Sequence, residues 1–271
     1  MFALLFAVAL ETVKFQAGQQ ELAYLHAPGE SAVLVVLPSQ PESAEAEMKN
    51  WAPIAASRKW RLIMPQFPSA ADPGVKNLDA MVADLRKRYS LARTPVYLAG
   101  GGAASAAVFY AAARAPYLWT AAMAIGGSPM PAIDSDRLFA ANTLNTPVGW
   151  ALTPEERTAS AAIRQRLTTA GYNLTVLEAP TIGQVLDFLA RNTITGFPGK
   201  IDCETGNPAM AQCYWVRLTA FDPALRNDAI RSSRVNPDLP ASLDLGGFGY
   251  QPTAPGPGVL VEWLPPNYTG A

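Results

Sequence analysis

The feature of this sequence that most constrains its fold is the repeated alternation of short apolar runs with segments of helical periodicity. The apolar runs predict strands at residues 11–15, 21–26, 32–37, 61–65, 94–100, 121–125, 148–152 and 174–177. The periodic segments predict helices at residues 43–57, 77–89, 103–114, 155–170 and 182–190. Strands that alternate with helices favour a mostly parallel sheet covered on both faces. The sequence therefore predicts an α/β, doubly wound domain over residues 11–198.

The character of the sequence changes near residues 197–199 (FPG). Beyond them, aromatic and β-branched runs such as 213–218 (CYWVRL) and 258–263 (GVLVEW) alternate with proline and glycine. This pattern predicts a small β-rich C-terminal extension over residues 199–271. Within it, residues 245–250 (LGGFGY) look like the opening of a PDZ-like module. Two interpretations of this segment stay open: the start of a truncated module, or a chance match.

The first ten residues, MFALLFAVAL, are apolar. A helix that spans a bilayer needs about 20 such residues, so this segment predicts no transmembrane anchor. It also lacks the positive start of a complete signal peptide. We interpret residues 1–10 as a possible signal-peptide remnant, which predicts a periplasmic or secreted protein. A first strand or a cloning remnant, with a cytoplasmic location, is the alternative.

The charge balance excludes one class of partner. The formal net charge of the 271 residues is −1, so no strongly basic field exists to attract nucleic acid. The chain has only two cysteines and one histidine. These do not complete a ligand set for a metal ion, and we predict no metal site and no other cofactor.

The two cysteines, Cys203 and Cys213, flank the turn signal 206–208 (GNP). Segments on either side of such a turn can pair as a hairpin, which would bring the two thiols together. A disulfide at this spacing would imply an oxidising compartment. The alternative is a pair of unbridged buried thiols.

A glycine turn joins two of the predicted elements. The strand 94–100 and the helix 103–114 meet at residues 100–104 (GGGAA), whose centre is Gly102. This turn and the order of elements over 11–192 resemble the α/β-hydrolase fold, and within it the bacterial esterases related to dienelactone hydrolases and polyhydroxybutyrate depolymerases. In that fold the turn is G-x-S-x-G, with a nucleophilic serine at its centre. The resemblance therefore places a glycine without a side chain where the nucleophile would stand.

The other catalytic positions that the resemblance implies are altered as well. Thr181 stands about where the histidine would be, while the chain's one histidine, His26, precedes the glycine turn. The fold requires the order serine, acid, histidine. Glu155 or Glu156 could occupy the place of the acid, but Thr153 and Pro154 before them are typical of a helix N-terminus. We favour that capping interpretation.

These departures predict a catalytically inactive homologue that acts by binding an unidentified small molecule or protein. Residues 37–39 (LPS) also replace the His-Gly that the family carries beside its oxyanion loop. Two alternatives stay open: an atypical esterase with an unrecognised active site, and an anion- or nucleotide-binding protein that uses the N–H groups of Gly100, Gly101 and Gly102. Ser105 lies inside the predicted helix and is interpreted as a packing residue.

Overall fold

A computed structural model of the chain describes residues 10–193, 198–205, 207, 210–221, 233–235 and 259–263. The strands are β1 (Glu11–Ala17), β2 (Gln20–Ala27), β3 (Val33–Leu37), β4 (Arg61–Pro65), β5 (Val96–Gly101), β6 (Ala121–Ile125), β7 (Val148–Leu152), β8 (Leu174–Glu178), β9 (Gln212–Cys213), β10 (Val216–Phe221) and β11 (Val259–Trp263). The α-helices are α1 (Ala44–Ser57), α2 (Asp72–Arg88), α3 (Ser105–Arg114), α4 (Met130–Asp134), α5 (Pro154–Ala159), α6 (Ala161–Thr169) and α7 (Ile182–Ala190).

The first eight strands form one sheet in the order β1-β2-β4-β3-β5-β6-β7-β8. β1 pairs with β2, and β2 with β4, in antiparallel fashion. Every pair from β4 to β8 is parallel. The carboxyl ends of these parallel strands therefore meet at one edge of the sheet, with β5 near the middle. The predicted α/β, mostly parallel sheet is confirmed.

Two apolar clusters cover the two faces of the sheet. On one face Val35 and Leu98 pack with residues of α2 and α3. On the other face Leu34 and Val36 pack with residues of α1 and α7. A strand that is buried on both faces reads as a continuous apolar run, which is why β3 has the sequence VLVVL.

The helices differ from the prediction in three places. α2 begins at Asp72, five residues before the predicted start, with a proline in its first turn. The predicted helix 155–170 is two helices, because the backbone leaves the helical region at Ser160, where φ is −88° and ψ is 6°. The short α4 was not predicted, since its five residues are too few to show a helical period.

The C-terminal extension contains a small antiparallel sheet in the order β11-β10-β9. The predicted strand 213–218 is interrupted: Tyr214 has a φ of +49°, and the chain turns there so that Cys213 pairs with Val216. The side chain of Asn142, in the main domain, binds the backbone of this extension. Asn142 donates to the carbonyl oxygen of Glu204 at 3.0 Å, and the Glu204 N–H donates to Asn142 Oδ1 at 2.6 Å. The PDZ-like segment 245–250 and residues 1–9 lie outside the described residues.

The open edge of β1 carries a contact from α2. Arg88 Nη2 donates to the Lys14 carbonyl oxygen at 3.2 Å. Asp84 holds the same guanidinium through its Nε and Nη2 atoms, at 3.0 and 2.9 Å. Within the part of the chain that the structure describes, none of the helices combines the length and apolarity needed to span a bilayer.

Candidate functional site

The turn after β5 brings Gly102 to the carboxyl edge of the sheet. Gly102 is exposed, has a φ of +55°, and opens a 3₁₀ turn that leads into α3. Glycine adopts this left-handed conformation without steric cost. A Cβ placed on Gly102 would meet no heavy atom of the described residues within 4 Å. The turn therefore leaves room for a side chain at its centre, and glycine supplies none.

The turn after β6 forms the neighbouring part of this edge. Gly126 and Gly127 have φ values of +62° and +64°. A Cβ on Gly127 would overlap the carbonyl oxygen of Gly102. The close approach of the two turns thus requires glycine at position 127. Gly102, Gly126 and Gly127 together form a surface without side chains, which we call the glycine floor.

Ser105 contacts this floor but is not exposed on it. Its side chain is fully buried, and its hydroxyl donates to the carbonyl oxygen of Gly126 at 2.8 Å. Trp150 Nε1 donates to the same oxygen at 3.1 Å. The geometry supports the packing interpretation, because the serine's one hydrogen is used to join α3 to the turn after β6.

The end of β7 carries a helix cap. The Thr153 N–H donates to Glu156 Oε2 at 2.9 Å, and the Glu156 N–H donates to Thr153 Oγ1 at 3.2 Å. This reciprocal pair is a capping box, as the sequence interpretation of this segment favours. The Glu156 carboxylate lies beside the glycine floor, since a Cβ on Gly126 would lie 2.8 Å from Glu156 Oε1. Glu155, the other candidate for the acid, is exposed in the first turn of α5.

The end of β8 carries a second capping box. Thr181 is the N-cap of α7, where its N–H donates to Gln184 Oε1 at 2.8 Å and its Oγ1 accepts from the Gln184 N–H at 3.3 Å. Thr181 thus has a structural task at the position that the family resemblance assigns to a histidine.

The loop after β3 binds a carboxylate of its own chain, which sequence reasoning missed. The Ser39 N–H donates to Glu47 Oε1 at 2.9 Å, and the Gln40 N–H donates to Ser43 Oγ at 3.1 Å. In α/β-hydrolases an N–H group of this loop completes the oxyanion hole. The local signal was the placement of Glu47 four residues after Ser43, one helical turn away.

His26 lies far from the glycine floor. It is on β2, and β4 and β3 separate it from β5, which amounts to about 14 Å across the sheet. Its ring stacks on Tyr89 at 5.0 Å, contacts Arg61 Nη1, and has Nδ1 3.4 Å from Glu11 Oε2. Burial and the charge of Arg61 lower the pKa of His26 below its usual 6.5, against the opposing effect of Glu11.

The two cysteines are joined by a disulfide with a Cα–Cα distance of 6.2 Å. The predicted hairpin between them is wrong. Residues 201–205 are not in a strand, and Cys213 instead pairs with β10. Of the predicted turn, Gly206 and Pro208 lie outside the described residues. The disulfide thus links Cys203, which lies outside any strand, to Cys213 at the end of β9.

Asp72 is the centre of a buried network that sequence reasoning also missed. Its carboxylate accepts from Tyr110 Oη at 2.7 Å, Arg114 Nε at 3.0 Å, Arg137 Nη1 at 2.9 Å and Asn207 Nδ2 at 2.9 Å. Burial by itself would raise the pKa of Asp72, but the hydrogen bonds from Arg114, Asn207 and Tyr110 outweigh it and lower the pKa to about 2. A carboxylate with this many donors is ionised at neutral pH and holds α2, α3 and the C-terminal extension together.

No protein-family model matches this chain, and no curated protein sequence matches it either. Among solved structures, an esterase of Pyrococcus furiosus is 11% identical, with a TM-score of 0.54 over 69% of this chain and 93% of that one. A dienelactone hydrolase of Anabaena variabilis is 12% identical, with a TM-score of 0.51 over 69% of this chain and 99% of that one.

An acylaminoacyl peptidase of Pyrococcus horikoshii is 12% identical, with a TM-score of 0.52, over 72% of this chain and 44% of the peptidase. At these identities the likeness concerns the fold alone. It agrees with the mostly parallel eight-stranded sheet. This chain has the α/β-hydrolase fold.

Proposed function

We propose that this chain is a pseudoenzyme, an α/β-hydrolase homologue that binds a small molecule or a protein and does not hydrolyse it. One observation carries the proposal. Gly102 has the positive φ of a residue at a sharp strand-to-helix turn and offers no nucleophile, while the chain's one histidine is buried on β2 beside Arg61 and Tyr89. A serine hydrolase needs its nucleophile and base within hydrogen-bonding reach.

The loop after β3 supports the same conclusion. A serine hydrolase stripped of its triad keeps about 10³–10⁴-fold acceleration over water, which comes from the oxyanion hole and substrate binding. Here the Ser39 N–H is bonded to Glu47, and Pro38 and Pro41 have no N–H to donate. The loop therefore offers a weak replacement for an oxyanion hole.

The segments in which the resemblance places the acid and the base form helix caps. Thr153 and Glu156 satisfy each other at the start of α5, and Thr181 and Gln184 do so at the start of α7. A side chain that caps a helix contributes about 1 kcal/mol to stability. Helix capping therefore explains these residues at the places where the resemblance would put the acid and the base.

We further propose that the protein works outside the cytoplasm. The Cys203–Cys213 disulfide supports this location, because disulfides persist in oxidising compartments. The net charge of −1 supports a partner other than nucleic acid. The alternative anion site on the N–H groups of Gly100, Gly101 and Gly102 is disfavoured, since the Glu156 carboxylate lies against the adjacent Gly126.

The experiment is to treat the purified chain with a fluorophosphonate probe and, separately, with a short acyl ester. We expect neither covalent labelling nor ester turnover above the rate of heat-denatured protein. A serine labelled in the native chain, identified by mass spectrometry and needed for ester turnover, would show an atypical active site and overturn the proposal. An active bacterial esterase treated in parallel verifies the probe.

A further inference from the structure

In the described part of the chain, β8 is an open edge of the main sheet, since it pairs with β7 on one side only. The Asn173 carbonyl oxygen accepts from the Val148 N–H, and the Ala179 N–H donates to the Leu152 carbonyl oxygen. The backbone groups of successive strand residues point to opposite sides, so the odd-numbered residues of this segment face β7. Val176, at the centre of β8, therefore directs its N–H and its C=O to the open side.

This edge lacks the protection that the opposite edge has. On β1, the Arg88 guanidinium bonds to the Lys14 carbonyl oxygen. Among the described residues, no side chain bonds to the backbone of Val176. The sequence of β8, LTVLE, also has no lysine, proline or glycine, which are residues that make a strand edge unsuitable for pairing. β8 is therefore ready to accept another strand.

Exposed apolar side chains lie at both ends of β8. Three large apolar side chains are exposed in the described ranges, and two of them, Leu144 and Ile182, are 43% and 44% exposed. Leu144 lies at the amino end of β8, because its carbonyl oxygen accepts from Asn173 Nδ2 at 3.1 Å. Ile182 lies beyond the carboxyl end, as the first residue of α7. If two copies pair in antiparallel fashion, the Leu144 end of each meets the Ile182 end of the other.

The charges at the two ends of β8 are complementary as well. Glu178 ends the strand, and its half-exposed carboxylate lies 3.3 Å from Arg157 Nη1. Lys200 is exposed at the amino end, where its carbonyl oxygen accepts from Asn145 Nδ2 at 2.8 Å. Antiparallel pairing brings Lys200 of each copy towards Glu178 of the other. It also keeps the two Glu178 residues about 13 Å apart along the strands, so like charges do not meet.

We propose that a second copy of this chain adds its β8 antiparallel to this β8, with a two-fold axis at Val176. The two Val176 residues exchange both of their N–H···O=C bonds, and each Glu178 N–H donates to the Leu174 carbonyl oxygen of the other copy. The Leu174 N–H already has an acceptor, the Tyr172 carbonyl oxygen at 2.8 Å. Such a two-fold contact is self-complementary. It goes beyond the proposed function and is independent of it, because it does not involve Gly102.

Analytical ultracentrifugation of the full-length chain over the micromolar range is the first test. We expect wild-type protein to have twice the mass of one chain and to dissociate on dilution. Val176→Pro should reduce the mass twofold, because proline has no N–H to donate. This substitution spares the hydrogen bonds to β7, which the odd-numbered residues make. Val176→Thr, which keeps the branched shape and the N–H, is the matched control and should stay a dimer.

Cysteine substitution tests the register. The Cα atoms of a hydrogen-bonded antiparallel pair are about 5.5 Å apart, which a disulfide can bridge. Since the two native cysteines are already joined, oxidation of Val176→Cys by diamide should give a covalent dimer that a thiol reductant splits. In Thr175→Cys the two new thiols stand at diagonal positions about 7–8 Å apart and should remain unlinked.

Three results would overturn the proposal: wild-type protein that stays a monomer throughout, Val176→Pro and Val176→Thr with the same mass, or Thr175→Cys that links as readily as Val176→Cys. Circular dichroism establishes whether each variant folds. If Val176→Pro does not fold, Val176→Lys is read in the same way, because a lysine at a strand edge opposes pairing.

Discussion

Asn207, inside the disulfide-bridged loop, donates a 2.9 Å hydrogen bond to Asp72, 135 residues earlier in the chain. The same carboxylate binds Arg114, the last residue of α3. All ten residues of α3 are buried, so this helix is enclosed on its outer side as well as against the sheet. The pair thus ties the C-terminal extension to the helix that follows the glycine turn.

Replacing Asp72 by alanine should destabilise the protein by about 3–5 kcal/mol, because it leaves the buried Arg114 guanidinium without its counterion. Urea denaturation measures this loss. Asp134→Ala is the control, since Asp134 is exposed on α4 and should change the free energy of unfolding by less than about 0.5 kcal/mol. Equal effects of the two substitutions would contradict the role assigned to Asp72.

Asp72 also predicts a dependence of stability on acid. Its folded pKa of about 2 lies below the ordinary 3.8, so its contribution is complete above pH 3.8 and is lost as the pH falls through 3.8 towards 2. The unfolding free energy of the wild-type chain should decline over this interval. Asp72→Asn should decline less steeply, and parallel curves for the two proteins would argue against the shift.

Reduction of the Cys203–Cys213 bridge should lower the melting temperature. The bridge closes a loop between residues 10 apart in sequence, and a disulfide of this size contributes about 3 kcal/mol by restricting the unfolded chain. Thermal unfolding with and without a thiol reductant measures the change. The Cys203→Ser, Cys213→Ser double variant should melt at the temperature of the reduced wild type and should not respond to the reductant.

Gly102→Ser should restore a side chain at the turn without restoring turnover, because no histidine lies near it to accept the proton. A serine at a φ of +55° costs about 1–2 kcal/mol of backbone strain, so a small loss of stability is expected as well. Ester hydrolysis and fluorophosphonate labelling are the measurements. Adding Thr181→His supplies a base at the end of β8 and should give the first trace of labelling. Rapid turnover by Gly102→Ser alone would reveal a base elsewhere.

His26 predicts a second pH dependence. The pKa of its folded state is lowered, so the unfolded state binds the proton more tightly, and stability should fall as the pH drops below 6.5 towards the folded pKa. Glu11, Arg61 and Tyr89 are the ionisable groups that face the ring. His26→Gln should remove this slope, measured by urea denaturation at about pH 7 and about pH 5.5. A slope that survives the substitution would have another origin.

The sequence was sufficient for features that depend on local pattern. Buried strands such as Val33–Leu37 are continuous apolar runs, and the turn at Gly102 is visible because glycine punctuates a strand–helix pair. Contacts between distant side chains leave no such pattern. The bond from Asn207 to Asp72 spans 135 residues, and nothing in either neighbourhood marks the other as a partner. Glu47 was missed for a different reason: a glutamate in the first turn of a helix is ordinary, and its bond to Ser39 depends on how α1 follows β3.

The contact of Arg88 with the Lys14 carbonyl oxygen has a consequence for solubility. Among the described residues β1 is the last strand at its side of the sheet, and an unpaired strand edge is a template for pairing with another molecule. A foreign strand that paired at Lys14 would first have to displace a guanidinium that Asp84 holds by two hydrogen bonds. This edge is therefore guarded against edge-to-edge aggregation by a side chain of the protein's own second helix.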